Sequence, residues 1–195
     1  KFWASSYEDK RPELTDAQRK VLSHYDNATL YNDSIVAEIV KRFQKEDAVI
    51  IYVPDHGEEC YEENRGFICR NHSANIDWKL AHYEFEIPFW IYCSKKYIQK
   101  HRAIYRQIRA AKGKRMMTDA LPHLLLYLAG IETPTYKEEN NILSPKYNEM
   151  RPRILKNSAD YDKLRDEYLK TQAKQEEKKQ DKKKDKKQTK KGARK

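Results

Sequence analysis

Long apolar runs are missing from this 195-residue chain. None approaches the roughly 20 residues a membrane-spanning helix needs, so no such helix is encoded in these residues. The first 20 residues are polar and hold no secretory signal core. The chain begins at Lys1 rather than Met. A processed protein and a piece of a longer one explain that start equally well, so the missing targeting segment says little about compartment. No Cys-x-x-Cys pair is present, which argues against a structural zinc knot. Cys60 and Cys69 flank a loop-like stretch, and their spacing favours a bridge in an oxidising compartment, with Cys93 left on a strand. Three free thiols are the alternative. Internal repeats are absent. Acidic charge is scarce at one end: residues 171–195 hold eleven Lys and one Arg against four acids, which is +8 of the chain's +10. The body is therefore near +2, an ordinary globular balance, and the basic isoelectric point describes a tail. That tail contains no aromatic residue, so it offers no stacking platform for single strands, and no specific nucleic-acid partner is expected. A solvated, disordered tail is the expectation. Anionic lipid headgroups or non-specific nucleic acid are the alternative contacts.

What is present has a clear order. Thr15 with Gln18 forms a capping-box pattern, and apolar residues then recur at helical spacing from Asp16 to Lys45. Residues 48–53 read as a buried strand, rich in β-branched and aromatic side chains, as in a parallel strand covered on both faces. Residues 57–82 read as a long, mostly irregular loop. A second strand spans Glu86 to Cys93, and a basic-faced helix Lys96 to Ala111. Thr118 is read as the cap of a helix that Gly130 stops. Residues 131–160 are turn-rich, and a short solvated helix is expected over 160–172. Two strands cannot form an independent sheet, so further strands are expected from outside the chain.

The chemistry concentrates in Asp55-His56-Gly57-Glu58, immediately beyond the first strand. Open α/β sheets place their sites at such strand ends. A carboxylate and a neutral imidazole are both good ligands for zinc or manganese. Gly57 would let the backbone turn sharply behind them. Glu58 is a candidate to orient His56, with a solvated loop carboxylate as the equal alternative. A plain polar turn is the competing reading of the whole stretch. His24, His101 and His123 sit in helical patterns, where surface or core roles are expected. Two readings stand for Tyr25, Asp26, Asn27, Tyr31 and Asp33: lining the site from the long helix, or packing for the tyrosines and capping or solvation for the others, and the second is favoured.

Four segments occur in order: Tyr25-Asp26-Asn27 with Tyr31-Asn32-Asp33; Val49 to Glu58; Glu86-Ile87-Pro88-Phe89-Trp90; and Thr118-Asp119 with Leu125 to Ile131. Together the set resembles the C-terminal half of the catalytic domain of bacterial phosphoethanolamine transferases. These belong to the sulfatase-like branch of the alkaline phosphatase superfamily. The resemblance implies an alkaline-phosphatase/sulfatase-like α/β sandwich with a mainly parallel sheet. Residues 1–164 would be its C-terminal portion, and 165–195 a Lys-rich, disordered tail.

By that resemblance, Asp55 and His56 match the downstream metal pair, with zinc (or manganese) as cofactor. His72 is the candidate for a further site histidine meeting the phosphate, with Arg70 beside it. Glu86 stands where many relatives have a histidine. The nucleophilic Thr is expected upstream of this chain, so the fragment alone should be inactive. The expected partners are a phospholipid donor and a lipopolysaccharide or lipid A acceptor. Anchoring would come through N-terminal helices missing here, with the catalytic domain on the periplasmic side of the inner membrane. A sulfatase or phosphodiesterase-type hydrolase of the same superfamily is the second reading; its C/S-x-P-x-R nucleophile motif does not occur in these residues. A non-catalytic, basic-tailed interaction module is the third.

Overall fold

The structure, a computed structural model, describes residues 1–62, 65–69 and 76–192, with backbone alone for 67–69 and 178–192. Two compact units divide the chain: residues 1–71 with 83–149, and residues 72–82 with 150–195.

In the first unit, α1 runs Asp16–Phe43. Its start is fixed as the sequence predicts: the Thr15 hydroxyl accepts from the Gln18 N–H, and the Gln18 side chain accepts from the Thr15 N–H. Asn27-Ala28-Thr29 and Asn32-Asp33 do not break the helix. Asn27 makes two 2.8 Å hydrogen bonds with the backbone N–H and C=O of Phe2, tying the N-terminal segment to α1. Tyr7 donates a very short hydrogen bond to Asp26. Tyr7, Leu14 and Leu22 are then buried together with Cys60 and Tyr61. The second half of the apolar stripe is different, since Ile35 and Ile39 are each 43% exposed.

β1 (Val49–Tyr52) pairs with β4 (Trp90–Cys93). The pairing is antiparallel, Val49 opposite Cys93 and Tyr52 opposite Trp90, so the parallel pairing expected of β1 is not what it makes among the described residues. The cause is the connection. It returns the chain to β4 at the level of Tyr52, whereas a parallel neighbour needs a crossover back to the Val49 end. All four residues of each strand are half-buried. One cluster forms around Leu124, Ile142 and Leu143, and Ile51, Phe89 and Ile91 pack on it.

The stretch 57–82, expected to be irregular, contains a short antiparallel hairpin and the start of a helix. The strands are β2 (Glu59–Cys60) and β3 (Phe67–Cys69), and α2 spans Trp78–Phe85. The Asp77 carboxylate accepts from the Leu80 N–H, an N-cap that is visible in the sequence. After β4 the basic helix is split at His101 into α3 (Lys95–Lys100) and α4 (Arg102–Ala110), with Ser94 capping α3 through the Tyr97 N–H. A 3₁₀ turn over Thr118–Ala120 leads into α5 (Leu121–Ala129); Thr118 lies within that turn instead of capping it. Gly130, at φ 65°, ends α5 in the left-handed conformation the sequence predicts.

In the second unit, β5 (Ile154–Leu155) and β6 (Ala159–Asp160) form a hairpin, and α6 runs Tyr161–Gly192. Where the sequence predicts disorder beyond Gln172, the backbone is helical. No Pro or Gly interrupts residues 153–191, and Lys, Glu, Gln and Ala are all strong helix formers. The 164/165 position marks no break in that helix. Among the described residues, no helix is long and apolar enough to cross a membrane.

Candidate functional site

The loop after β1 is held in place by close backbone approach. Gly57 N–H donates to the Glu84 carbonyl at 2.8 Å, near the C-terminal end of α2. A Cβ on residue 57 would overlap the Tyr83 carbonyl oxygen. Gly57 is thus required because a side chain has no room there, and its φ lies outside the left-handed region. Below it, Tyr52 stacks on Trp90 with centroids 5.2 Å apart, and the Tyr52 hydroxyl accepts from Asn32 on α1 at 3.2 Å. The end of β1 is therefore fastened to β4 and α1, and the loop that follows is fastened to α2.

On that loop Asp55 is 87% exposed and His56 23% exposed at the side chain. His56 Nδ1 lies 2.8 Å from the Gly57 carbonyl oxygen. A carbonyl only accepts, so Nδ1 carries the hydrogen and, in the neutral ring, Nε2 keeps its lone pair. That Nε2 lies 3.5 Å from Asp55 Oδ2. Two acceptors facing each other at this range repel unless a cation or a proton sits between them. Metal–ligand bonds of about 2.0–2.1 Å at a tetrahedral zinc set neighbouring ligand atoms about 3.3 Å apart, so the pair fits a shared divalent ion. A ring that hands its other N–H to a carbonyl is also the usual arrangement of a metal-binding histidine. The carbonyl, not Glu58, does the orienting.

The pair is incomplete as a metal centre. Among the described residues, no group of three or more His, Cys, Asp or Glu side chains converges. His72 and Arg70 lie outside the described residues. Glu86 is exposed. His82 stacks on Trp78. His123 is occupied structurally, with Nδ1 accepting from the Lys137 N–H at 3.1 Å. His101 packs against Tyr97 and stands 3.4 Å from Asp47. Asp26 and Asn27 are taken up by the N-terminal segment, as the packing reading expects. Burial raises the Tyr25 phenol above its ordinary value, with the charges of Cys60 and Glu58 adding to the effect.

One feature escaped the sequence reading. Glu59 is fully buried on β2, and Arg65 reaches it at 2.8 Å. A six-residue separation across a hairpin carries no periodic signal, so only the fold shows the pair. Opposite Glu59 in the backbone register stands Cys69, whose side chain is not described, so the Cys60–Cys69 bridge remains an expectation.

The sulfatase family profile matches residues 2–131, two-thirds of the chain. The phosphoethanolamine transferase EptC of Escherichia coli is 29% identical over 140 residues, which are 71% of this chain and 23% of that protein. The Kdo(2)-lipid A phosphoethanolamine 7''-transferase of Escherichia coli is 27% identical over 81 residues, 41% of this chain and 13% of that protein. The crystal structure of the C-terminal periplasmic domain of Escherichia coli EptC superposes with a TM-score of 0.63 at 26% identity, over 82% of this chain and 46% of that one. The same domain has been solved in complex with Zn, with the same similarity to this chain. The chain thus spans about a quarter of the curated relative EptC and about half of its solved domain. Matched over most of its length, the chain belongs to the sulfatase family, and its relatives there include phosphoethanolamine transferases.

Proposed function

We propose that this chain is the C-terminal part of the catalytic domain of a metal-dependent phosphoethanolamine transferase acting on lipopolysaccharide or lipid A. The observation that carries the reading is the Asp55–His56 pair, two ligand atoms 3.5 Å apart on a loop fastened at the end of β1. Names of the relatives and the Zn-bound form of the EptC domain support the same chemistry. Asp55 and His56 would hold the ion, which when bound stabilises charge on the transferred phosphoryl group and lowers the pKa of the nucleophile. Asp55 supplies negative charge from an exposed position. His56 supplies a neutral nitrogen whose orientation is set by the Gly57 carbonyl. Gly57 keeps both side chains at a fixed height over the strand end.

The remaining ligands and the nucleophilic threonine belong to the preceding part of the domain, and His72 is the candidate for meeting the phosphate. The two-stranded β1–β4 sheet and the exposed Ile35 and Ile39 on α1 agree with a domain whose other half covers them. The fragment by itself is expected to be inactive. Its place is the periplasmic side of the inner membrane, with a phospholipid donor.

The test is to make Asp55→Asn and His56→Asn in the full-length protein and measure bound metal and transfer together. Loss of one metal equivalent, with activity down on the order of 100-fold or more, is expected, because even partners behind a ligand cost 10–100-fold. Unchanged metal content and transfer in both variants would overturn the assignment. The match to the sulfatase profile favours one second reading, a hydrolase that releases its product to water. The residue at the upstream nucleophile position separates the two: Thr for transfer, Cys or Ser for a sulfatase.

A further inference from the structure

The near-neutral balance of the body conceals a strong separation of charge. Between Ile87 and Thr118 there are nine Lys and Arg and not one Asp or Glu. With the body at +2, that segment carries +9 and the rest of the body −7. Folding then sorts the segment by face. Ile104 and Ile108 of α4 turn inward onto the Leu124 cluster. Arg102, Arg106 and Arg109, spaced i, i+4, i+7, lie along the opposite face and are exposed. Lys95, Lys96 and Lys112 are exposed beside them in sequence. Lys100 is different, being paired with Asp47 at 2.9 Å. None of the six other cations has a carboxylate partner among the described residues.

We infer that the outward face of α3 and α4 docks on an anionic phospholipid bilayer. Three unpaired arginines strung along one face of α4, with three more unpaired lysines exposed before and after it in sequence, present an extended positive field, which suits a sheet of headgroups. The face lacks a stacking platform for single-stranded nucleic acid, because Tyr97 is buried and Tyr105 half-buried. Nor is it part of the Asp55–His56 loop. α3 starts just after Cys93, which pairs with Val49, at the end of the β1–β4 pair away from that loop. The choice of a bilayer among polyanions rests on the proposed transferase reading, in which donor and acceptor are both lipids.

The experiment is sedimentation of the full 195-residue chain with vesicles of phosphatidylglycerol and phosphatidylcholine, against phosphatidylcholine alone, at fixed salt. Each cation near such a surface strengthens partition about fivefold. The exposed triple variant R102Q/R106Q/R109Q should therefore weaken binding to the anionic vesicles about 100-fold. The variant K1Q/K10Q/K20Q, with the same loss of charge elsewhere on the surface, should weaken it less than about fivefold. Equal losses in the two variants would mean that net charge alone acts, and no loss in the first would mean that the Lys-rich tail alone binds; either overturns the inference. So would tighter retention on a single-stranded oligonucleotide than on vesicles of equal phosphate content. Vesicle binding needs neither metal nor transfer, so its failure leaves the Asp55–His56 test standing, and failure of that test leaves this one readable.

Discussion

The two units differ in how their longest helices are fastened. The first has an aliphatic centre in Leu124, Ile142 and Leu143, a helix start fixed by a capping box, and a loop fastened by direct backbone approach. The second buries Leu80, Ala81, Leu155 and Tyr161. Its helix α6 is fastened at one end. Arg153 grips Asp162 with two hydrogen bonds of 2.6 and 3.1 Å and lies over the Tyr161 ring, while Trp78 packs on Tyr161 and Tyr168. Beyond Leu169 the helix has no apolar residue larger than Ala. Aliphatic burial forms a unit that a single truncation injures deeply. A one-ended aromatic and guanidinium clamp leaves a long helix to intrinsic propensity.

That contrast can be broken or sharpened by measurement. Leu124→Ala should have the largest effect, a loss of about 3 kcal/mol in chemical denaturation, since the side chain is fully buried and its neighbours belong to α4 and the strands. A loss below about 1 kcal/mol would show that the first unit's centre is already loose. Gly57→Ala should follow at about 2 kcal/mol, because the added methyl overlaps the Tyr83 carbonyl and the loop must move. In the full-length protein the same variant should also lose metal affinity; retention of both stability and metal would mean that the loop is not fastened there.

Third comes pH. Burial, then the Asp26 hydrogen bond and its charge, raise the Tyr7 phenol well above its ordinary value, and burial also raises Tyr25 and Tyr97. The unfolded chain then gives up these protons first. The stabilisation is complete below the unfolded value of about 10 and declines as pH rises through the folded values. Tyr7→Phe should flatten the decline above about pH 10. An unchanged slope would show that Tyr7 is not the group lost. Smallest of all, deleting residues 171–195 should change stability by less than about 0.5 kcal/mol while removing helical circular dichroism, since those residues lie beyond the clamp.

Much of the local structure was legible in the sequence because it rests on neighbours in the chain. The Thr15–Gln18 box, the Gly130 stop and the Asp55-His56 step beyond a β-branched strand are all short-range patterns. The tail reads two ways from composition alone: its low complexity favours disorder, and its Lys, Glu, Gln and Ala favour a helix. The β2–β3 hairpin and the cap at Asp77 lie within a stretch whose mixed composition carries no period, and the antiparallel sense of the β1–β4 pair is set by a connection that no local pattern reveals. At the site, the residue types were legible but their arrangement was not. Asp26 and Asn27 could have pointed anywhere until Tyr7 and Phe2 occupied them.

By itself, the sequence determined where α1 begins and where α5 ends, which residue types stand beyond the first strand, and how the cations are distributed along the chain, for these follow from bond geometry and composition over a few residues. Only the tertiary structure decided that Gly57 must lack a side chain, that Nε2 of His56 faces Asp55, and that the arginines of α4 share an outward face against a buried one. Those facts depend on segments distant in the chain coming within a few ångströms, and no local pattern encodes which segments meet.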